Sequence, residues 1–179
     1  MIYQIVPMNK SYAGEMIERW KYPNRYSMYD YVNEKEELLN ETLWGLSKFA
    51  VLDKDKNLFG ELTIEFFKNE EEGEGEEDDR YVDHNIVLKN PVNSYELWIG
   101  FGMRPDACGK GYGENFVLDC ISFAISHYKY KGEYIRCAVS SWNQRAISLY
   151  KKIGFELFNQ FEFVDSKEIY TIYQMKKEI

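Results

Sequence analysis

The sequence predicts a mixed α/β fold, and three observations predict it. First, segments whose apolar residues alternate singly are interleaved with segments whose apolar residues recur at three and four. Their order is strand, two helices, a run of strands, strand–helix–strand–helix and a last hairpin. Second, the strand Leu97–Met103 stops at Pro105 and enters a turn with glycine at 109, 111 and 113, on which the longest helical pattern opens. Third, a 179-residue chain that is 45% hydrophobic and 17% aromatic is sized for one domain, 1–179, with its own core. It contains no run of about eighteen apolar residues that could span a membrane, and no membrane partner is expected. No signal peptide is read at its start.

In chain order, Met1–Val6 reads as a short strand closed by Pro7. Ser11 is placed to cap a helix through Trp20, with Ala13, Met16, Ile17 and Trp20 on one face. The segment Trp20–Tyr31 is broken by Pro23 and carries Tyr22, Tyr26, Tyr29 and Tyr31, too irregular for a strand. Two readings stay open for it: aromatic packing under a loop, or the wall of a substrate pocket. A second helix is expected over Asn33–Leu43, with Leu38, Leu39 and Leu43 inward. Leu46–Leu52 and Leu58–Phe67 form a hairpin about the polar turn Asp53–Asn57. Residues 69–79 hold eight acidic side chains and no basic one, which matches the whole net charge of −8 and reads as a solvated, flexible loop. Arg80–Val92 has no clean period; Tyr81, Ile86 and Val87 suggest an extra strand or an edge insertion, and His84 beside the acidic loop reads as a surface residue.

Beyond the glycine turn, a helix over Tyr112–Tyr130 places Val117, Ile121, Ala124, Ile125 and Tyr128 inward, with Gly132 as its stop. Tyr134–Val139 is a strand. Asn143 then caps a helix with Ala146, Ile147, Leu149, Tyr150 and Ile153 inward, ended by Gly154. Phe155–Val164 and Glu168–Met175 are the final two strands.

A net charge of −8 and a pI near 4.9 exclude general nucleic-acid binding, which needs a basic surface to displace phosphate counterions. Three cysteines without a Cys-x-x-Cys pair and two histidines argue against a disulfide framework and a structural zinc site. A reducing cytoplasm is the expected setting, and no metal is expected.

Alternate glycines at 109, 111 and 113 let successive N–H groups turn toward one centre, and the following helix adds its unpaired N–H groups and positive dipole end. A phosphate or pyrophosphate is the natural occupant. An NTPase phosphate loop does not fit, because Arg104 and Gly111 stand where Gly and Ser or Thr are needed. A dinucleotide fingerprint does not fit either, since Glu114 replaces Gly or Ala.

Cys108-Gly-Lys-Gly-Tyr-Gly113 resembles the acyl-CoA-binding motif Arg/Gln-x-x-Gly-x-Gly/Ala of the GCN5-related N-acetyltransferase (GNAT) family. Gly111 and Gly113 fill the glycine positions; Cys108 stands where the family has Arg or Gln and cannot supply a charged contact. Asn143 to Phe155 resembles that family's Asn-x-x-Ala-x-x-x-Tyr-x-x-x-Gly-Phe signature, matched at Asn143, Ala146, Tyr150, Gly154 and Phe155. The spacing of 30 residues from Gly113 to Asn143 is also the family's.

The resemblance implies a central mixed, mostly antiparallel sheet splayed between two parallel strands, with helices on both faces. It implies acetyl-CoA as cosubstrate and an amine as acceptor, and it allows for a homodimer. The pyrophosphate would lie over Cys108, Gly109, Lys110, Gly111, Tyr112, Gly113 and Glu114, the pantetheine arm along Phe101, Gly102 and Met103, with Asn143 and Tyr150 also touching the cofactor. Tyr150 would protonate the departing thiolate. An alkyl ammonium of pKa about 10 must lose a proton before attacking, and Glu96 is the nominated base, its alternative being an exposed strand carboxylate. Direct attack needs no covalent intermediate, so Cys108 and Cys120 are not nucleophile candidates. Tyr22, Tyr26 and Tyr29 would line the acceptor site with the loop at 164–167. A catalytically silent acyl-CoA-binding or interaction domain, and a structural protein that binds no phosphate, remain the alternatives.

Overall fold

A computed structural model describes residues 2–69, 80–89, 95–165 and 168–179. The strands are β1 (Gln4–Pro7), β2 (Lys48–Leu52), β3 (Leu58–Lys68), β4 (Tyr95–Met103), β5 (Tyr134–Ser140), β6 (Glu156–Asp165) and β7 (Glu168–Glu178). They form one sheet in the order β1-β2-β3-β4-β5-β7-β6. The α-helices among the described residues are α1 (Lys10–Arg19), α2 (Lys35–Leu38), α3 (His84–Lys89), α4 (Gly113–Tyr128) and α5 (Gln144–Lys152), beside short 3-10 segments. The expected mixed α/β class is what the chain adopts. The acidic segment lies outside the described residues from 70 to 79, as do residues 166 and 167 of the last turn.

The chain divides into two compact units, Met1–Thr63 with Phe101–Phe123, and Ile64–Gly100 with Ala124–Ile179. In the first, β1 and β3 flank β2 antiparallel, with Ala50 opposite Val6 and Glu61. Every residue of β2 is buried because both faces of the strand are covered, Ala50 and Leu52 by the cluster around α1 and Phe49 by Phe123. Met8, Ala13, Met16, Trp20, Tyr31, Leu38, Ala50, Leu52 and Leu58 form one cluster, which takes the apolar face of α1. The cap of α1 is Asn9 and not Ser11: Asn9 Oδ1 accepts the Tyr12 N–H at 2.9 Å, and Ser11 is already helical. The second helix is cut to the single turn of α2. Asn40 ends it, since its side chain takes the Thr42 N–H and hydroxyl at 3.1 and 2.7 Å and starts a 3-10 turn.

In the second unit, β4 pairs parallel with β5 at Leu97↔Ile135 and Trp98↔Arg136, and β7 pairs antiparallel with β5 and β6. The parallel ladder covers two residue pairs of a nine-residue strand. The stretch after the acidic segment is α3 and not a strand, with one bridge, Phe67↔Tyr81. Its His84 is buried rather than on the surface, 3% exposed. Nε2 donates to Ile64 O at 2.7 Å, which leaves Nδ1 to accept from the Tyr81 hydroxyl at 3.1 Å. Helix α4 ends at Tyr128 and its stop is Lys129, which takes the left-handed conformation (φ 51°), rather than Gly132; the Tyr130 N–H reaches back to Ile125 O.

Candidate active site

The glycine turn lies in the first unit. Pro105–Ala107 form a 3-10 turn after β4, and Gly109 and Gly111 have φ of 76° and 85°. Such angles reverse the chain without a Cβ penalty, which is why glycine stands at these two positions. A Cβ on Gly111 would meet nothing within 4 Å, so the space beside this glycine is open. Gly113 starts α4, whose first N–H groups have no partner within the helix. Gly109, Lys110, Gly111 and Tyr112 are exposed, and Gly113 and Glu114 half-buried. An exposed glycine turn running into a helix N-terminus is the kind of place a pyrophosphate fits. Cys108 does not face an anion with charge; its Sγ lies 3.5 Å from the carbonyl oxygens of Met103 and Arg104. Tyr112 packs edge-on against Phe59 at 5.8 Å.

Just before the turn, Phe101, Gly102 and Met103 are half-buried. Two tyrosines of the aromatic segment reach this stretch. Tyr22 donates its hydroxyl proton to Met103 O at 2.8 Å, and burial pushes its pKa up. The Tyr31 hydroxyl fills the space a Gly102 Cβ would need, only 1.6 Å from it. Tyr26 and Tyr29 lie half-buried in the 3-10 segment Asn24–Tyr29.

Beneath these tyrosines is a charged group that sequence reasoning missed. Lys48 of β2 and Glu61 of β3 are diagonal neighbours across the ladder, 4% and 5% exposed. Lys48 Nζ lies 2.8 Å from Glu37 Oε1, 2.9 Å from Thr63 Oγ1 and 3.7 Å from Glu61 Oε1, and Thr63 also hydrogen-bonds Glu61. Glu61 Oε2 accepts from Tyr31 at 3.5 Å. Burial pushes the Glu61 carboxyl up against the pull of Lys48, and burial also raises Tyr31. Burial works to lower Lys48, but Glu61 and Glu37 outweigh it and keep the ammonium charged. The available signal was a lysine and a glutamate at the apolar positions of two strands.

The remaining site candidates lie in the second unit. Glu96 is not an exposed strand carboxylate; it is 5% exposed. Its Oε2 accepts from Arg80 Nη2 at 3.1 Å and Trp98 Nε1 at 3.0 Å, and its Oε1 is 3.5 Å from Arg136 Nη2. That is the arrangement of an ion pair tying α3's approach and β5 to β4. Asn143 caps α5, its Oδ1 accepting the Ala146 N–H at 3.2 Å. Tyr150 is 7% exposed, with its ring 5.6 Å from that of Phe155. Gly154 takes φ 95°, and the Phe155 N–H bonds to Tyr150 O at 2.9 Å. The Tyr-x-x-x-Gly-Phe spacing thus also builds a helix stop with its apolar contact. Among the described residues, no group of His, Cys, Asp and Glu is arranged to hold a metal, and no helix is long and apolar enough to cross a membrane.

Comparison with known proteins follows the same lines. A search of curated proteins finds no match. A chimera of spermidine N-acetyltransferase SpeG from Vibrio cholerae and hSSAT superposes with a TM-score of 0.67 at 15% identity, covering 99% of this chain and 96% of the other. The V. cholerae spermidine/spermine N-acetyltransferase SpeG in complex with manganese ions gives 0.62 at 16%, covering 98% and 92%. A dodecameric spermidine N-acetyltransferase from the same organism gives 0.62 at 15%, covering 99% and 94%. At these identities the likeness shows a shared fold. The acetyltransferase (GNAT) domain family matches residues 7–156, most of the chain, and with the glycine turn and the fold in agreement, the chain belongs to the GNAT acetyltransferase family.

Proposed function

We propose that this domain transfers an acetyl group from acetyl-CoA directly to a primary amine, and that the acceptor is a cationic, partly apolar amine. The observation that carries the reading is the open turn at Gly109–Gly113 feeding the first N–H groups of α4, in a chain of this family. The pyrophosphate would take these N–H groups, and Lys110 would add charge. The pantetheine arm would pair with Phe101–Met103, beyond the short parallel ladder of β4. A backbone N–H there would stabilise the tetrahedral oxyanion, a donor worth about 3 kcal/mol in rate. Tyr150 would return a proton to the CoA sulfur as the C–S bond breaks, and Asn143 would set the start of its helix.

The acceptor class rests on the tyrosines Tyr22, Tyr26 and Tyr29, whose aromatic faces suit a cation, and on the chain's net charge of −8. Spermidine, after which the structurally similar SpeG acetyltransferases are named, is an amine of this cationic class. A second copy of the chain is the proposed macromolecular partner, consistent with one such relative being dodecameric. A reducing cytoplasm suits the three cysteines, which form no disulfide. Thiol release from acetyl-CoA, measured over a panel of polyamines, small amines and peptide N-termini, tests the reaction. Turnover should favour cationic amines; a clear preference for acidic acceptors overturns the acceptor class, and CoA binding without any turnover favours the silent alternative.

A further inference from the structure

Glu96, whose carboxylate engages Arg80, Arg136 and Trp98, is one place for the first proton that the acceptor ammonium loses. The first unit offers another. Glu61 Oε2 is 3.5 Å from Tyr31 Oη, and a Cβ on Gly102 would lie 1.6 Å from that hydroxyl and 3.6 Å from that carboxylate oxygen. The pair therefore reaches the centre of Phe101–Met103, along which the thioester arm would lie. Resting on the acetyl-transfer reading, we propose that Tyr31 and Glu61 relay the first proton away from the acceptor amine.

The surroundings suit the task. Lys48 faces Glu61 from β2, Glu37 from α2, Glu34 from the turn before it, Thr63 from β3 itself, and Tyr31 and Tyr22 from the aromatic segment. Three carboxylates share one ammonium. Burial above all pushes both Glu61 and Glu34 up, with Lys48 the main pull the other way and the neighbouring carboxylates adding a smaller push. A buried carboxylate with a raised proton affinity is matched to base work near neutral pH. The ammonium gives a proton to the Tyr31 oxygen as Tyr31 passes its own to Glu61. The neutral amine then attacks the carbonyl carbon, the C–N bond forms and the C–S bond breaks. The second nitrogen proton is balanced by the one delivered to the thiolate, and Glu61 releases its proton to water.

The test follows kcat and kcat/KM against pH for acetyl transfer to spermidine and to benzylamine, with CoA affinity measured by calorimetry, in wild type, Glu61→Gln and Tyr31→Phe. Glu61→Gln should lower kcat about 100-fold and abolish the acid limb of the profile, with CoA affinity unchanged. Tyr31→Phe, which keeps the ring and its packing against Trp20, should lower kcat about tenfold or more by the same reasoning. A folded Glu61→Gln protein with near wild-type turnover and an intact acid limb overturns the relay. If that variant does not fold because Lys48 loses its buried partner, wild-type turnover in Tyr31→Phe overturns it alone. Failure of wild type to bind CoA, or to acetylate either amine, sinks the acetyl-transfer reading itself, and that result is visible before any variant is made.

Discussion

Tyr150 shows how one residue can satisfy two constraints. Its carbonyl closes the stop of α5 and its ring packs on Phe155, so the sequence motif is explained structurally without any chemistry. The phenol oxygen is what packing alone does not require. Tyr150→Phe should therefore leave the melting temperature and CoA affinity little changed while kcat falls about 100-fold; equal turnover would leave proton delivery to water. His84 supports a prediction about pH. Burial lowers its pKa from the ordinary 6.5, against the pull of its bond to Ile64 and of Asp83. The folded state then binds fewer protons than the unfolded one, so this contribution is complete above about pH 6.5 and is lost as pH falls through the depressed value. The melting temperature of wild type should drop more steeply between neutral and mildly acidic pH than that of His84→Gln; identical slopes would remove His84 as the cause. Neither its burial nor that of Glu61 was legible in sequence. A single polar residue on a strand or short helix has no period of its own, and only the tertiary partner reveals that it is satisfied inside.

Elements were legible where local chemistry is self-sufficient. Val117, Ala124 and Tyr128 mark α4 by spacing, and Gly154 marks the end of α5 by its left-handed angle. They were misread where two local signals compete. Asn9 and Ser11 are both good caps two residues apart, and Asn40 interrupts a helical pattern that Leu38, Leu39 and Leu43 would otherwise sustain. The cap assignment is testable: Asn9→Ala should cost about 1 kcal/mol in denaturant unfolding while Ser11→Ala costs almost none. A reversed order would return the cap to Ser11. The glycine turn separates conformation from space. Gly111 needs its positive φ, so a side chain there strains the backbone even though its Cβ would meet no atom within 4 Å. Gly113, at the start of α4, is the better probe of the anion site. Gly113→Val should weaken CoA binding by tenfold or more, about 1.4 kcal/mol, with a smaller loss of stability; unchanged affinity in a folded variant would place the phosphates elsewhere.

At the scale of the whole molecule, the order of elements was readable because each βα or αβ step carries its own stop signal, whereas the two-unit division was not. It falls inside β3, β4 and α4, at Thr63–Ile64, Gly100–Phe101 and Phe123–Ala124, where the sequence has no linker, proline or change of composition. A boundary that runs through three regular elements, rather than loops, leaves no flexible linker at which the chain could come apart. The chain should therefore unfold in one cooperative transition despite its two units. CoA provides the sharper form of this test. A ligand held only by the folded state stabilises by about 2.7 kcal/mol at a hundred times its dissociation constant, which for a domain of this size corresponds to a rise in Tm of roughly 5–10 °C. In calorimetry the whole transition should move up together as CoA is added. A transition that splits, with one part shifted and the other fixed, would show that the units melt independently. No shift at all would mean that the turn binds no CoA and leave the domain a structural one.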